Sequence, residues 1–174
     1  TTGWNLISLP GALAAGETGI NDAIPSTHPI DTVVTYDPTD PQKWLVATRL
    51  EDLSFDTDEI SDIELGQAYW VRTTSFESLK VSIPGSRGGT NQTLPIFSMS
   101  AGWNLMPVLD VTGDLKATEG QGFAAASYLA NVTQTRVYGY DEMTDKFEVE
   151  GANDILEVGR GYWVWLSVAG TLVP

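Results

Sequence analysis

The apolar residues of this chain fall into short runs, which predict β-strands more often than helices. Two pairs of these runs flank turn-forming residues, so we predict β-hairpins over residues 33–47 and 136–150. Helical patterning is confined to one stretch in each half, residues 20–24 and 123–131. The predicted main strands are 4–9, 33–36, 44–47, 69–73, 103–109, 136–140, 146–150 and 162–168.

Three motifs occur twice and in the same order, which indicates an internal duplication. A Gly-Trp-Asn-Leu motif begins at Gly3 and again at Gly102, and a Gly-x-x-Tyr-Trp-Val motif ends at Val71 and again at Val164. Between them, each half contains an apolar hairpin strand that ends in Tyr-Asp. The interval after this hairpin is longer in the first half, and we interpret residues 53–64 as a loop insertion there.

These patterns predict a mainly β protein made of two tandem homologous small domains. Each domain is expected to be a β-barrel or a β-sandwich with one short helix. The predicted division is a first repeat over residues 1–84, a linker over 85–92 and a second repeat over 93–174. The linker is rich in glycine and polar residues, which favours an exposed connection.

Composition excludes several classes of function. The chain has 174 residues and a formal net charge of −14, which disfavours nucleic acids and anionic membrane surfaces as partners. It contains no cysteine, so disulfides, thiolate metal sites and thiol nucleophiles are excluded. No run approaches the ~18 apolar residues of a membrane helix, and no signal peptide is expected. Acidity without cysteine fits an extracellular or cell-surface setting.

The repeated motifs resemble a β-rich module of large secreted and surface proteins of bacteria and archaea, including cell-envelope, S-layer-like and adhesin-like chains. The resemblance rests on Gly-Trp-Asn-Leu, the Tyr-Asp hairpin that ends in Trp44, and Gly-x-x-Tyr-Trp-Val. It implies a non-catalytic structural or assembly role, with other domains or copies of a surface assembly as partners. It supplies no catalytic residue.

Catalysis has little support in the residues themselves. His28 is the single histidine, and Pro29 follows it in a loop-like stretch, so we expect an ordinary surface residue. No Gly-x-Ser-x-Gly sequence is present to place a nucleophilic serine. A hydrolase that uses paired carboxylates stays open as an alternative, but we predict that the chain is not an enzyme.

Two kinds of polar site deserve a prediction. The loop insertion at residues 53–64 is rich in carboxylates, which can supply the oxygen ligands that calcium needs. We therefore predict calcium as the cofactor of this loop. N-glycosylation patterns begin at Asn91 and at Asn131. The predicted calcium ligands are Asp56, Asp58, Glu59 and Asp62.

The aromatic residues leave two interpretations open. Most of them occupy repeated positions, which is typical of a duplicated core. Trp163 and Trp165 lie on the same side of a strand, so we predict that they contact the other repeat or a partner. The alternative is a carbohydrate-binding module with a glycan partner, which requires two or more coplanar aromatic side chains exposed on one face.

Overall fold

A computed structural model describes residues 1–81, 83, 96–112 and 120–174. The protein is mainly β, as the sequence predicts, and the predicted linker lies outside the described residues. The described strands are β1 (Gly3–Ser8), β2 (Ile30–Tyr36), β3 (Trp44–Thr48), β4 (Ala68–Thr73), β5 (Phe97–Met99), β6 (Gly102–Pro107), β7 (Gly122–Ala124), β8 (Gln134–Asp141), β9 (Lys146–Val149), β10 (Ile155–Glu157), β11 (Gly161–Leu166) and β12 (Gly170–Leu172), and the helices are α1 (Ile20–Ala23) and α2 (Ala125–Tyr128).

Two four-stranded antiparallel sheets have the same strand order. The first sheet runs β1-β4-β2-β3 and the second runs β6-β11-β8-β9. Repeated residues occupy equivalent places, since Trp4 and Trp103 are the second residues of β1 and β6. Trp70 and Trp163 are likewise the third residues of the central strands β4 and β11. Two small sheets, β7-β10 and β5-β12, accompany the second one.

The Gly-Trp-Asn motif has a local structural role in both repeats. Gly3 and Gly102 adopt φ values of +92° and +97°, a region that glycine enters without strain. The side-chain amides of Asn5 and Asn104 each donate a hydrogen bond to the carbonyl of that glycine, at 3.1 Å. The motif therefore fixes the entry into the first edge strand of each sheet.

One face of each sheet covers the core of its own repeat, together with the short helix. In the second repeat, α2 occupies only part of the predicted 123–131 helix, because Phe123 pairs with Leu156 between β7 and β10. No helix in the described ranges is long and apolar enough to cross a membrane. The first core contains Ile20, Ile24, Val33, Phe55, Tyr69 and Val71, and the second contains Met106, Leu129, Leu156, Tyr162, Val164 and Leu166.

The other faces of the two sheets pack against each other, which gives a sandwich-like fold. Leu6 and Ala68 of the first sheet lie in one buried cluster with Leu105 of the second. At Gly161 the sheets approach so closely that an added Cβ atom would lie 2.8 Å from the Cβ of Ala68. The barrel alternative is wrong, because each sheet has a second apolar face that is buried by stacking and no closed barrel forms.

Hydrogen bonds join the repeats on one side. The backbone N–H of Ser8 donates to the carbonyl of Gly159 at 2.8 Å, and the Ser8 hydroxyl donates to the carbonyl of Arg160 at 2.8 Å. The residue equivalent to Ser8 in the second sheet is Pro107, which has no N–H to donate. The approximate twofold relation between the repeats is therefore broken here.

The loop insertion of the first repeat covers the outer edge of β3. Its buried side chains, Phe55 among them, join the first core. The Glu59 carboxylate accepts a hydrogen bond from the N–H of Val46 at 2.8 Å, and the N–H of Asp56 donates to the carbonyl of Thr48 at 2.9 Å. The insertion thus satisfies polar backbone groups that an edge strand otherwise leaves to solvent.

Candidate functional site: an aromatic groove between the sheets

An open groove with a volume of about 390 Å³ lies where the two sheets meet. Its size falls within the range of about 300–1,000 Å³ that is common for small-molecule sites. We call it the aromatic groove, because it is lined by Tyr36, Trp44, Trp103, Tyr138, Phe147 and Trp163.

Trp163 contacts aromatic rings of both repeats within the groove. Its ring centroid lies 5.1 Å from that of Tyr36 and 5.6 Å from that of Trp44, both in edge-to-face arrangements. On its other side, Trp103 lies 6.2 Å from Trp163 and 5.8 Å from Tyr138. The end of β2 and the start of β3 in the first sheet therefore meet β6, β8 and β11 of the second at this groove.

A related contact occurs on the opposite side of the approximate twofold axis. There Trp70 packs against Tyr140 and Phe147, with ring centroids 4.6 Å and 5.9 Å apart. Each repeat thus places one tryptophan against the aromatic hairpin of the other. Edge-to-face aromatic pairs add about 0.5–1.5 kcal/mol beyond the area that they bury, so these contacts help to hold the repeats together.

At two positions on this face, only the second repeat carries an aromatic side chain. Tyr138 stands opposite Trp163 in register, whereas Val34 stands opposite Trp70. Trp165 pairs with Trp103, 5.2 Å away between ring centroids, whereas the equivalent residue of the first repeat is an arginine. The second sheet therefore has the more aromatic face. A comparison of the two copies at their unlike positions is the sequence signal that could have located the groove.

The groove also has polar atoms that the protein does not use. Within the described residues, the indole N–H groups of Trp44, Trp103 and Trp163 form no hydrogen bond, and neither do the hydroxyls of Tyr36 and Tyr138. These groups are left to solvent, and the surface of the groove itself is almost entirely apolar. The groove therefore offers a ligand mainly apolar ring area.

The structure separates the two tryptophans that we predicted as contact residues. Trp163 lies between the repeats. Trp165 packs within its own sheet and stays 38% exposed at the rim beyond Trp103. Trp44 at the mouth of the groove is 45% exposed. Aromatic side chains are thus exposed on one face, but their rings are inclined at 67° and 77° to each other, so the coplanar arrangement that the carbohydrate-binding alternative requires is absent from these pairs.

Comparison with protein-family models, curated proteins and solved structures finds no match to this chain. The resemblance to a surface-protein repeat module therefore stays a prediction.

The predicted calcium ligands do not converge on one point. Asp56 accepts a hydrogen bond from the N–H of Asp58 at 3.1 Å, while Glu59 is bonded to the edge of β3. Asp62 accepts hydrogen bonds from the hydroxyls of Thr18 and Ser61, at 2.9 and 2.7 Å. The described part of the chain contains no group of three potential ligands close enough to hold a metal ion. Calcium binding stays a prediction.

Of the two glycosylation candidates, only Asn131 lies among the described residues. Asn131 is exposed just after α2, and its side-chain amide donates to the carbonyl of Val173 at 2.8 Å. Asn91 lies outside the described residues. Modification at either residue stays a prediction.

His28 is more sheltered than the surface residue that we expected. Both ring nitrogens are shielded from solvent and, among the described residues, have no hydrogen-bond partner. Burial lowers the pKa of His28 below its ordinary value of 6.5; the Glu77 carboxylate opposes this shift and the Arg49 guanidinium adds to it. The folded state therefore favours the neutral form of the imidazole.

This lowered pKa predicts a loss of stability in mild acid. Below a pH of about 6.5 the unfolded chain binds a proton at His28 that the folded chain binds only at lower pH, so the free energy of unfolding falls as the pH falls. Urea unfolding at pH 7.5 and pH 5.5 measures the change, and His28→Gln is expected to reduce it. An equal pH dependence in His28→Gln and the parent protein would contradict the assignment.

Proposed function

We propose that this protein is a non-catalytic binding module that takes up a carbohydrate in the aromatic groove. The observation that supports this proposal best is the open groove itself, which is lined by aromatic side chains from both sheets. The two fused repeats act as the scaffold that holds aromatic side chains from both sheets in place.

A sugar suits both properties of the groove. One face of a pyranose ring carries several C–H groups and packs on aromatic rings, while its hydroxyls accept hydrogen bonds from the edge. Tyr and Trp combine an apolar body with a polar group, so they can make both contacts. The net charge of −14 favours a neutral glycan over an anionic lipid or a nucleic acid.

A purely structural or assembly role is the second candidate. It is favoured by the double use of Tyr36, Trp44 and Trp163, which line the groove and also hold the repeats together. In this case the aromatic residues stabilise the sandwich and no ligand enters. For either role we propose an extracellular or cell-surface location, with other domains or copies of a surface assembly as partners.

Titration with uncharged hexasaccharides distinguishes these candidates. Isothermal titration calorimetry with cellohexaose, maltohexaose, laminarihexaose, chitohexaose and xylohexaose is expected to detect binding of at least one of them. Tyr138→Val gives the groove the residue that Val34 provides in the first repeat, so the fold is expected to tolerate it. We expect it to weaken the binding about tenfold, which equals about 1.4 kcal/mol.

The matched control for this experiment is Trp4→Ala. Trp4 is the first-repeat equivalent of Trp103, is 37% exposed and does not line the groove. It should leave the affinity unchanged. Absence of binding by all five saccharides, or equal affinity in Tyr138→Val, would contradict the carbohydrate proposal and favour the structural role.

A further inference from the structure

The two sheets end in equivalent edge strands, but the described residues cover only the first of these edges. β3 is covered by the loop insertion, whose Glu59 and Asp56 bond to it. The second repeat has the shorter interval at this place, and all four residues of β9 are exposed. Phe147 and Val149 are 54% and 68% exposed. An exposed edge with apolar side chains is a template for pairing with another strand.

The bond made by Glu150, the residue after β9, shows which backbone groups of β9 point toward β8 and which point away from it. The N–H of Glu150 donates to the carbonyl of Val137 in β8, at 3.0 Å. Because the polar groups of successive strand residues point to alternate sides, those of Phe147 and Val149 point away from β8. Within the described ranges their N–H groups have no hydrogen-bond partner. In the equivalent strand, Val46 points outward in the same way and bonds to Glu59.

The charges on β9 select one antiparallel self-pairing. With Phe147 opposite Phe147 of a second copy, the two phenylalanines exchange backbone hydrogen bonds, and Lys146 of each copy stands directly opposite Glu148 of the other. Of the two nearest registers with correct hydrogen-bonding direction, one places Lys146 opposite Lys146. The other places Glu148 opposite Glu148 and Lys146 opposite Glu150, so only the register centred on Phe147 avoids a like-charge pair. Opposite charges stabilise such cross-strand pairs and like charges destabilise them. Neither side chain forms a salt bridge within the described residues.

We propose that β9 is a self-association edge, at which two copies of this chain pair antiparallel about Phe147. The product is a continuous eight-stranded sheet in which the two aromatic grooves open on the same face. Such an isologous contact closes as a twofold dimer. The inference does not depend on the ligand of the groove, since it uses only the backbone and the charges of the edge strand.

A charge exchange tests this register. Sedimentation equilibrium of the full chain, from micromolar to millimolar concentration, is expected to show a monomer–dimer equilibrium. Lys146→Glu and Glu148→Lys each replace two opposite-charge pairs with two like-charge pairs, so each should weaken dimerisation about tenfold. The double variant with both substitutions restores the two pairs and should recover the affinity of the parent protein.

If the net charge of the protein, and not the register of β9, controlled dimerisation, the variants would behave differently. Glu148→Lys makes the net charge less negative, so general repulsion between the copies would decrease and dimerisation would strengthen. Lys43→Glu, at the hairpin position of the covered edge equivalent to Lys146, changes the net charge as Lys146→Glu does and is expected to have little effect. A parent protein that stays monomeric at millimolar concentration would overturn the proposal. A double variant that stays as weak as the single variants would also overturn it.

Discussion

Gly161→Val is expected to force the two sheets apart. The Cβ atom of any residue here would lie 2.8 Å from the Cβ of Ala68 and 2.9 Å from the Leu6 side chain. Ala68 is itself buried on a central strand, so it cannot move without displacing β4. Valine favours the strand conformation, and its cost therefore falls on the contact between the repeats. We expect a loss of about 3 kcal/mol, the upper part of the range for overpacked sites.

Calorimetric unfolding measures this loss and also its location. The parent protein is expected to unfold in one cooperative transition, because the repeats share a buried face. In Gly161→Val, the transition should move to lower temperature and broaden or split as the repeats unfold separately. Gly170→Ala is the matched control, since its Cβ would meet Val132 at an ordinary 3.4 Å. Equal stability of Gly161→Val and the parent protein would contradict the packing argument.

The strands and turns of each repeat could be predicted from the sequence because their signals are local. An aspartate that opens a hairpin accepts hydrogen bonds from its own turn, as Asp37 does from the N–H of Thr39 at 2.8 Å. The Gly-Trp-Asn motif is equally local, since Asn5 bonds two residues back. Interactions of this range depend on the segment alone, so their repetition predicted two homologous repeats of similar strands and turns.

The groove could not be predicted in the same way, because it forms only where distant segments meet. Trp163 contacts Tyr36 across more than a hundred residues of chain, and no periodicity reports such a pairing. The choice between a barrel and a sandwich was undetermined for the same reason: it depends on whether edge strands pair or faces stack. Both arrangements bury alternate residues of a strand, so they share one hydrophobic pattern.

Trp70→Ala and Trp163→Ala form a matched pair that separates stability from ligand binding. Each side chain is half-buried and packs on the aromatic hairpin of the other repeat. Truncation removes a large apolar area, and we expect each variant to lose about 3 kcal/mol, the lower end of the range for tryptophan. Chemical denaturation should therefore place the two variants close together.

The two variants should differ in saccharide binding, because Trp163 lines the aromatic groove, whereas Trp70 reaches it only indirectly, through its contact with Phe147. Titration at a temperature where both variants are folded is expected to show near-parent affinity for Trp70→Ala and a loss of at least about tenfold for Trp163→Ala. Equal losses in both would mean that binding depends on the packing of the repeats as a whole. Unchanged affinity in Trp163→Ala would show that Trp163 does not contact the ligand and that its role is purely structural.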